Sequence, residues 1–293
     1  MYLSNPLPIE TSRGRFSYRE SGDLWGETVV MIHGWPESSY CWEPVAPRLK
    51  TGLRILAVDL RGLGDSERTA GVEHYLKQEL ARDVIEVLDQ LEIQDFQLVG
   101  HDWGGIVAQE IALAVPERVR RMVIMNIAVI NNLRGNREVI EKVRSEGAGT
   151  YWYQHFLQTP DLPEAMIPGN EAIWLGHFLK TSNRQPFPED ALEEYIRTFR
   201  IPGTAGTSAN YYRTFRDDAQ RWATMEGHVW PMPSMYIYGK RDRIIIPEYL
   251  NHIEDCFDSI QVEQIEAGHF LQEEEPDKVA ERLNGFLEAA SNA

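Results

Sequence analysis

The chain is poor in cysteine, in positive charge and in long apolar runs, and each shortage closes off a class of function. Only two cysteines, Cys41 and Cys256, occur in 293 residues. Two are too few for a disulfide framework in a chain of this length, and they lack the spacing and His neighbours of a zinc site. Buried free thiols are expected, because free Cys packs as a small hydrophobe. Lys and Arg number 29 against 45 Asp and Glu, a formal net charge of −16. Such a chain repels phosphate backbones and anionic lipid, so neither nucleic acid nor membrane is expected as a partner. No apolar run approaches the ~20 residues of a membrane span. The opening MYLSNPLPIETSRGR has no basic stretch leading into an apolar one, so no signal peptide is read there. A cytoplasmic location is the expectation, and a homodimer stays open.

What is present is ample apolar material, 43% of the residues, for one large domain or a domain carrying an insertion. Short β-branched or aliphatic runs at 28–32 (TVVMI), 54–58 (RILAV), 96–99 (FQLV) and 122–125 (MVIM) fit strands buried on both faces of a parallel sheet. Residues 79–91 place Leu80, Val84, Val87, Leu88 and Leu91 on one helical face, and a second helix is expected over 106–115, stopped by Pro116. From 128 to 223 the pattern changes to aromatic-rich helical stretches separated by Pro160, Pro163, 168–169, 186–188 and 202–203. Strand signals return at 234–238 (SMYIY) and 259–265, and a helix is expected over 276–289. The expectation is an α/β fold, a mostly parallel doubly wound sheet formed by 1–127 and 224–293, with a helical lid inserted over 128–223.

The sharpest local signal is Gly100-His101-Asp102-Trp103-Gly104-Gly105, which joins a strand to a helix. A turn this tight strains its middle residue and needs small neighbours two before and two after, here Gly100 and Gly104. That is the geometry of a nucleophile elbow, and its central side chain is a carboxylate. An Asp here could equally cap the following helix. A carboxylate is too weak a base for acyl transfer, but it can displace a leaving group from saturated carbon. The resulting ester of Asp102 must then be hydrolysed, which requires a base and an oxyanion hole. His269, in AGHF after the last strand, is the candidate base, and Asp242, in YGKRD, is the acid that would orient it. The alternative acid position, after the preceding strand, holds Asn126, which carries no charge. His101 is expected to pack against the sheet. The oxyanion donors would be the backbone N–H groups of Trp103 and of Trp35, the latter in a tight, cis-prolyl His33-Gly34-Trp35-Pro36 turn.

Taken together, HGWP (33–36), DLRGLGDS (59–66), GHDWGG (100–105), YGKRD (238–242) and AGHF (267–270) resemble the epoxide hydrolases of the α/β-hydrolase fold, in order and over nearly the whole chain. The resemblance implies an Asp nucleophile and two lid tyrosines that protonate the epoxide oxygen. These correspond to Tyr153 in WYQ and Tyr212 in NYYR, with Tyr211 as the other choice for the second. It implies a small apolar epoxide and water as reactants and no metal or organic cofactor. Haloalkane and haloacetate dehalogenases share the Asp nucleophile and give the alternative, an organohalide substrate. Against them, the halide-binding Asn after HG is Trp35 here, and the Arg and His-Trp of haloacetate dehalogenases are Trp103 and Tyr153-Gln154. For them, Trp103 matches a halide-binding Trp. A non-catalytic binding protein on the same scaffold is a further alternative.

Overall fold

The computed structural model describes residues 2–182 and 187–287. Eight strands form one sheet: β1 (Leu7–Thr11), β2 (Gly14–Gly22), β3 (Glu27–Ile32), β4 (Leu53–Asp59), β5 (Phe96–His101), β6 (Val119–Met125), β7 (Ser234–Gly239) and β8 (Ile260–Ile265), in the order β1-β2-β4-β3-β5-β6-β7-β8. From β4 to β8 every pairing is parallel, while β1 and β2 pair antiparallel and add an edge to the sheet. That edge is absent from the sequence expectation. β1, LPIET, alternates half-buried and exposed residues and buries none fully, so its apolar signal is diluted. The central strands are mostly apolar and, apart from Glu27, fully buried, as strands covered on both faces must be.

Helices α1 (Lys77–Gln90) and α2 (Trp103–Ala114) follow β4 and β5. The expected face of α1 is the buried one. Helix α2 is different, because its first ten residues are all buried. It therefore shows no amphipathic stripe, and its true start lies three residues before the expected 106. Between β6 and β7 the described residues form helices and no strand of the sheet: α3 (Leu133–Glu146), α4 (Trp152–Gln158), α5 (Leu162–Met166), α6 (Glu171–Phe178), α7 (Glu189–Phe199), α8 (Thr204–Arg213) and α9 (Phe215–Trp222). After β8 come α10 (Leu271–Glu274) and α11 (Pro276–Leu287). The last two residues expected in that helix lie outside the described ones, as does Pro186 of the loop signal at 186–188.

The inserted helices are fastened to the core on the side of α8 and α9. Tyr211 Oη donates to Arg61 O (2.7 Å), and Thr207 Oγ1 donates to Gly62 O (2.8 Å). Glu110 of α2 accepts from Trp222 Nε1 (2.6 Å) and pairs with Arg221. Both cysteines are buried free thiols, as expected.

Leu98 sits in the middle of β5 with no exposed surface. Leu98→Ala should cost about 2–5 kcal/mol, read from urea unfolding midpoints; a loss below about 1 kcal/mol would contradict a rigid central strand.

Candidate active site

The junction of β5 and α2 is a single residue. Asp102 has φ 49° and ψ −129°, a conformation an L-residue adopts only under tertiary constraint. The turn closes because its neighbours are glycines. A Cβ at Gly104 would lie 2.3 Å from Ile32 O, and one at Gly100 would lie 2.4 Å from Gly104 O. The Asp102 side chain makes no capping bond to α2, which removes the helix-cap explanation of this residue. Instead its Oδ1 accepts the Trp35 N–H at 2.8 Å. Trp35 is followed by a cis peptide to Pro36. The loop is fixed from behind by His33, whose Nδ1–H donates to Gly34 O (2.8 Å) and whose Nε2 accepts the Leu60 N–H (3.0 Å).

His269 faces the other carboxylate oxygen, with Nε2 3.6 Å from Asp102 Oδ2. Its Nδ1 donates to Asp242 Oδ2 at 2.7 Å. Asp242 is itself oriented, since its Oδ1 accepts the N–H groups of Ile244 (2.7 Å) and Ile245 (3.1 Å). Asn126 plays a scaffolding part. Its Nδ2 donates to the Gly268 and His269 carbonyls (2.9 Å each) and its Oδ1 accepts the Gly239 N–H (2.8 Å). One amide side chain thereby ties the loop bearing His269 to the end of β7.

The electrostatics follow from this arrangement. Burial alone would raise the Asp102 carboxyl, but His269, His101 and the Trp103 amide outweigh it and hold the group below its ordinary value. Burial alone would lower the His269 imidazole, but Asp242 and Asp102 raise it well above its usual value. The resting pair is therefore a carboxylate beside an imidazolium.

Tyr153 and Tyr212 close the site from above, with ring centroids 5.7 Å apart. Trp35 stacks on Tyr153 at 5.6 Å and meets Tyr212 edge-on at 5.5 Å, while Trp103 meets Tyr212 at 5.4 Å. Burial, above all, raises both phenols, so both stay protonated. Tyr211, the other choice for the second tyrosine, points away, because its hydroxyl is spent on Arg61 O. Trp174 and Phe178 complete an aromatic wall around Trp35.

The sequence reading missed a buried polar group behind His269. His101 is fully buried, and burial lowers its imidazole to about 4. Its Nε2–H donates to His269 O (2.8 Å), and its Nδ1 faces Glu37 Oε2 at 3.1 Å. Gln272 Nε2 donates to both Glu37 oxygens at 3.0 Å. Burial pushes the Glu37 carboxyl well up, so it meets the neutral His101 as an acid. Nearby, Tyr195 donates to Glu273, a half-buried carboxyl raised first by desolvation and then by Glu37. Nothing in the sequence marks Glu37 beyond its place directly after HGWP. Among the described residues no group of three or more His, Cys, Asp or Glu side chains is placed to hold a metal ion. Nor is any helix among them long and apolar enough to cross a membrane.

An oriented carboxylate, an imidazole and an acid at the carboxyl ends of parallel strands are the equipment of a hydrolase. A model of the alpha/beta hydrolase fold family matches residues 27–276, and the chain belongs to that family. Within it the chain is epoxide hydrolase-like. It is 28% identical to epoxide hydrolase 4 of Mus musculus over 290 residues, covering 95% of this chain and 78% of that protein. It is 25% identical to epoxide hydrolase A of Mycobacterium tuberculosis over 311 residues, covering 95% and 96%. The solved structure of the epoxide hydrolase CorEH superposes with a TM-score of 0.77 at 25% identity, over 97% of this chain and 98% of that one.

Asp242→Asn removes one of the two charges that raise His269. The imidazole pKa, followed by NMR, should fall in the variant. A raised His contributes stability below its unfolded pKa of about 6.5 and loses that contribution as pH rises through its folded value. The wild-type stability advantage over Asp242→Asn should accordingly be largest at acid pH and fade toward alkaline pH. An unchanged His269 titration would contradict the assigned partner.

Proposed function

We propose that the protein opens a small apolar epoxide to a vicinal diol through an ester on Asp102. The observation that carries this reading is that Trp35, whose amide holds the ionised Asp102, also packs against two protonated phenols, Tyr153 and Tyr212, inside an aromatic wall. A halide departs as a stable anion, but an epoxide oxygen departs as a strongly basic alkoxide and needs a proton. Tyr153 and Tyr212 supply that proton as Asp102 attacks carbon from the opposite side.

Ester formation changes the charge state of the site. Asp102 becomes neutral, so His269 loses one of the two anions that hold its proton. The proton it sheds goes to the phenolate left when a tyrosine protonated the ring oxygen, so both phenols are restored. His269, now neutral and still oriented by Asp242, takes a proton from water. The hydroxide attacks the Asp102 carbonyl, and the Trp35 and Trp103 amides hold the developing oxyanion. The ester C–O bond breaks, the diol leaves with a proton, and the remaining proton returns to His269. No step calls for a metal or an organic cofactor.

A second reading, dehalogenation of a small organohalide, is favoured by one observation. The indole N–H groups of Trp35 and Trp103 are buried without a hydrogen-bond partner and could receive a halide. Release of halide from haloalkanes or fluoroacetate, with no diol from styrene oxide, would replace the first reading by the second.

His269→Gln should stop the cycle at the ester. After exposure to styrene oxide, intact mass spectrometry should find one added epoxide mass, and peptide mapping should locate it on Asp102. Labelling at another residue, or none, would overturn the mechanism.

A further inference from the structure

One buried cation has no part in the chemistry above. Lys77, the first residue of α1, has no exposed surface. Its Nζ donates to Tyr211 O (2.7 Å), Thr214 Oγ1 (2.8 Å) and Asp218 Oδ2 (2.8 Å). Asp218 Oδ1 also accepts the Lys77 backbone N–H (3.0 Å), so a carboxylate from α9 caps the amino end of α1. The same ammonium lies 4.4 Å from the centroid of the Trp103 ring, within cation–π range.

Two of these partners flank Tyr212, one residue before it and two after it. Another is the residue directly after Asp102. A single side chain thus grips the segment carrying the proposed proton donor and, at the same atom, the ring next to the proposed nucleophile. We propose that Lys77 is a positioning residue which sets the placement of Tyr212 over Asp102, and that it governs the ring-opening step and not ester hydrolysis. The proposal rests on the reading of Tyr212 as proton donor. The separation of steps follows from the roles. Tyr212 acts only while the epoxide oxygen leaves, whereas hydrolysis runs on His269, Asp242 and the backbone amides of Trp35 and Trp103, and Lys77 meets Trp103 at its ring and not at its amide. An ammonium is suited to this because its three donors radiate from one point while its charge attracts an aromatic face.

Replacing Lys77 alone would strand Asp218 as an unpaired buried charge. The informative variant is therefore Lys77→Met with Asp218→Asn, which removes both charges and keeps an acceptor for the end of α1. Single-turnover kinetics with styrene oxide should show ester formation slowed about tenfold or more, as misplacement of a reacting group does. Ester hydrolysis should stay within about twofold. The crystal structure of this variant should show the Trp103–Tyr212 ring separation widened from 5.4 Å. Ester formation unchanged in the folded double variant, or an unchanged ring separation, would overturn the proposal. Thr214→Val removes one contact of the ammonium and guards against a double variant that does not fold. It should slow ester formation in the same direction by a smaller factor, and no slowing would again count against Lys77. If the wild-type protein formed no ester with any epoxide, the functional reading would fail, while the ring separation would still decide the positioning role.

Discussion

A carboxylate carried into a protein interior ordinarily takes up a proton, because desolvation penalises its charge. The site depends on that not happening at Asp102. In the proposed reaction a protonated Asp102 could not attack carbon, and nothing else at the elbow could replace it. The conformation of the turn makes ionisation affordable by presenting the carboxylate to the Trp35 amide on one oxygen and to His269 on the other. His269 can serve only because Asp242 stabilises its positive form, and Asp242 can serve only because the amides of Ile244 and Ile245 aim its free oxygen. A sequence of dependencies therefore runs from one strained residue after β5 to the loops after β7 and β8, with Asn126 tying those loops together.

The helices above the sheet extend the same logic to the leaving group. A phenol is useful there only if it keeps its proton and lies over the reacting carbon. Burial secures the proton. Position is secured by contacts between α8–α9 and the core, at Arg61, Gly62, Glu110 and Lys77. These contacts are polar and directional, whereas the wall formed by Trp35, Trp174 and Phe178 is aromatic and adaptable in shape.

Much of this was legible in the sequence because the elbow, the histidine loop and the acid loop each announce themselves through glycines at strand ends. The buried parallel strands were legible for the same reason that they are buried, their short, mostly apolar and β-branched runs. What was not legible was anything carried by a contact between distant segments. β1 and β2 lie at the edge, where half-exposed strands read as polar loop. Helix α2 begins at Trp103 and not near Ile106, because complete burial erased the periodicity that marks a helix start. Tyr211 and Tyr212 are adjacent in sequence and separable only by where each hydroxyl goes, one to Arg61 O and the other to the site. Glu37 and Lys77 are charged residues that a sequence reading assigns to the surface, and only the fold shows them enclosed.

The two raised carboxyls, Glu37 and Glu273, change how the protein's charge should be understood. The formal value of −16 treats both as anions, yet burial favours their neutral forms in the native state. At these two positions the folded molecule keeps its protons to higher pH than the unfolded chain does. Stability contributed by such groups is greatest below the unfolded carboxyl value of about 4.3 and is lost as pH rises toward their raised native values. Behind the site, then, lies a proton reserve that opposes the usual acid lability of an acidic protein.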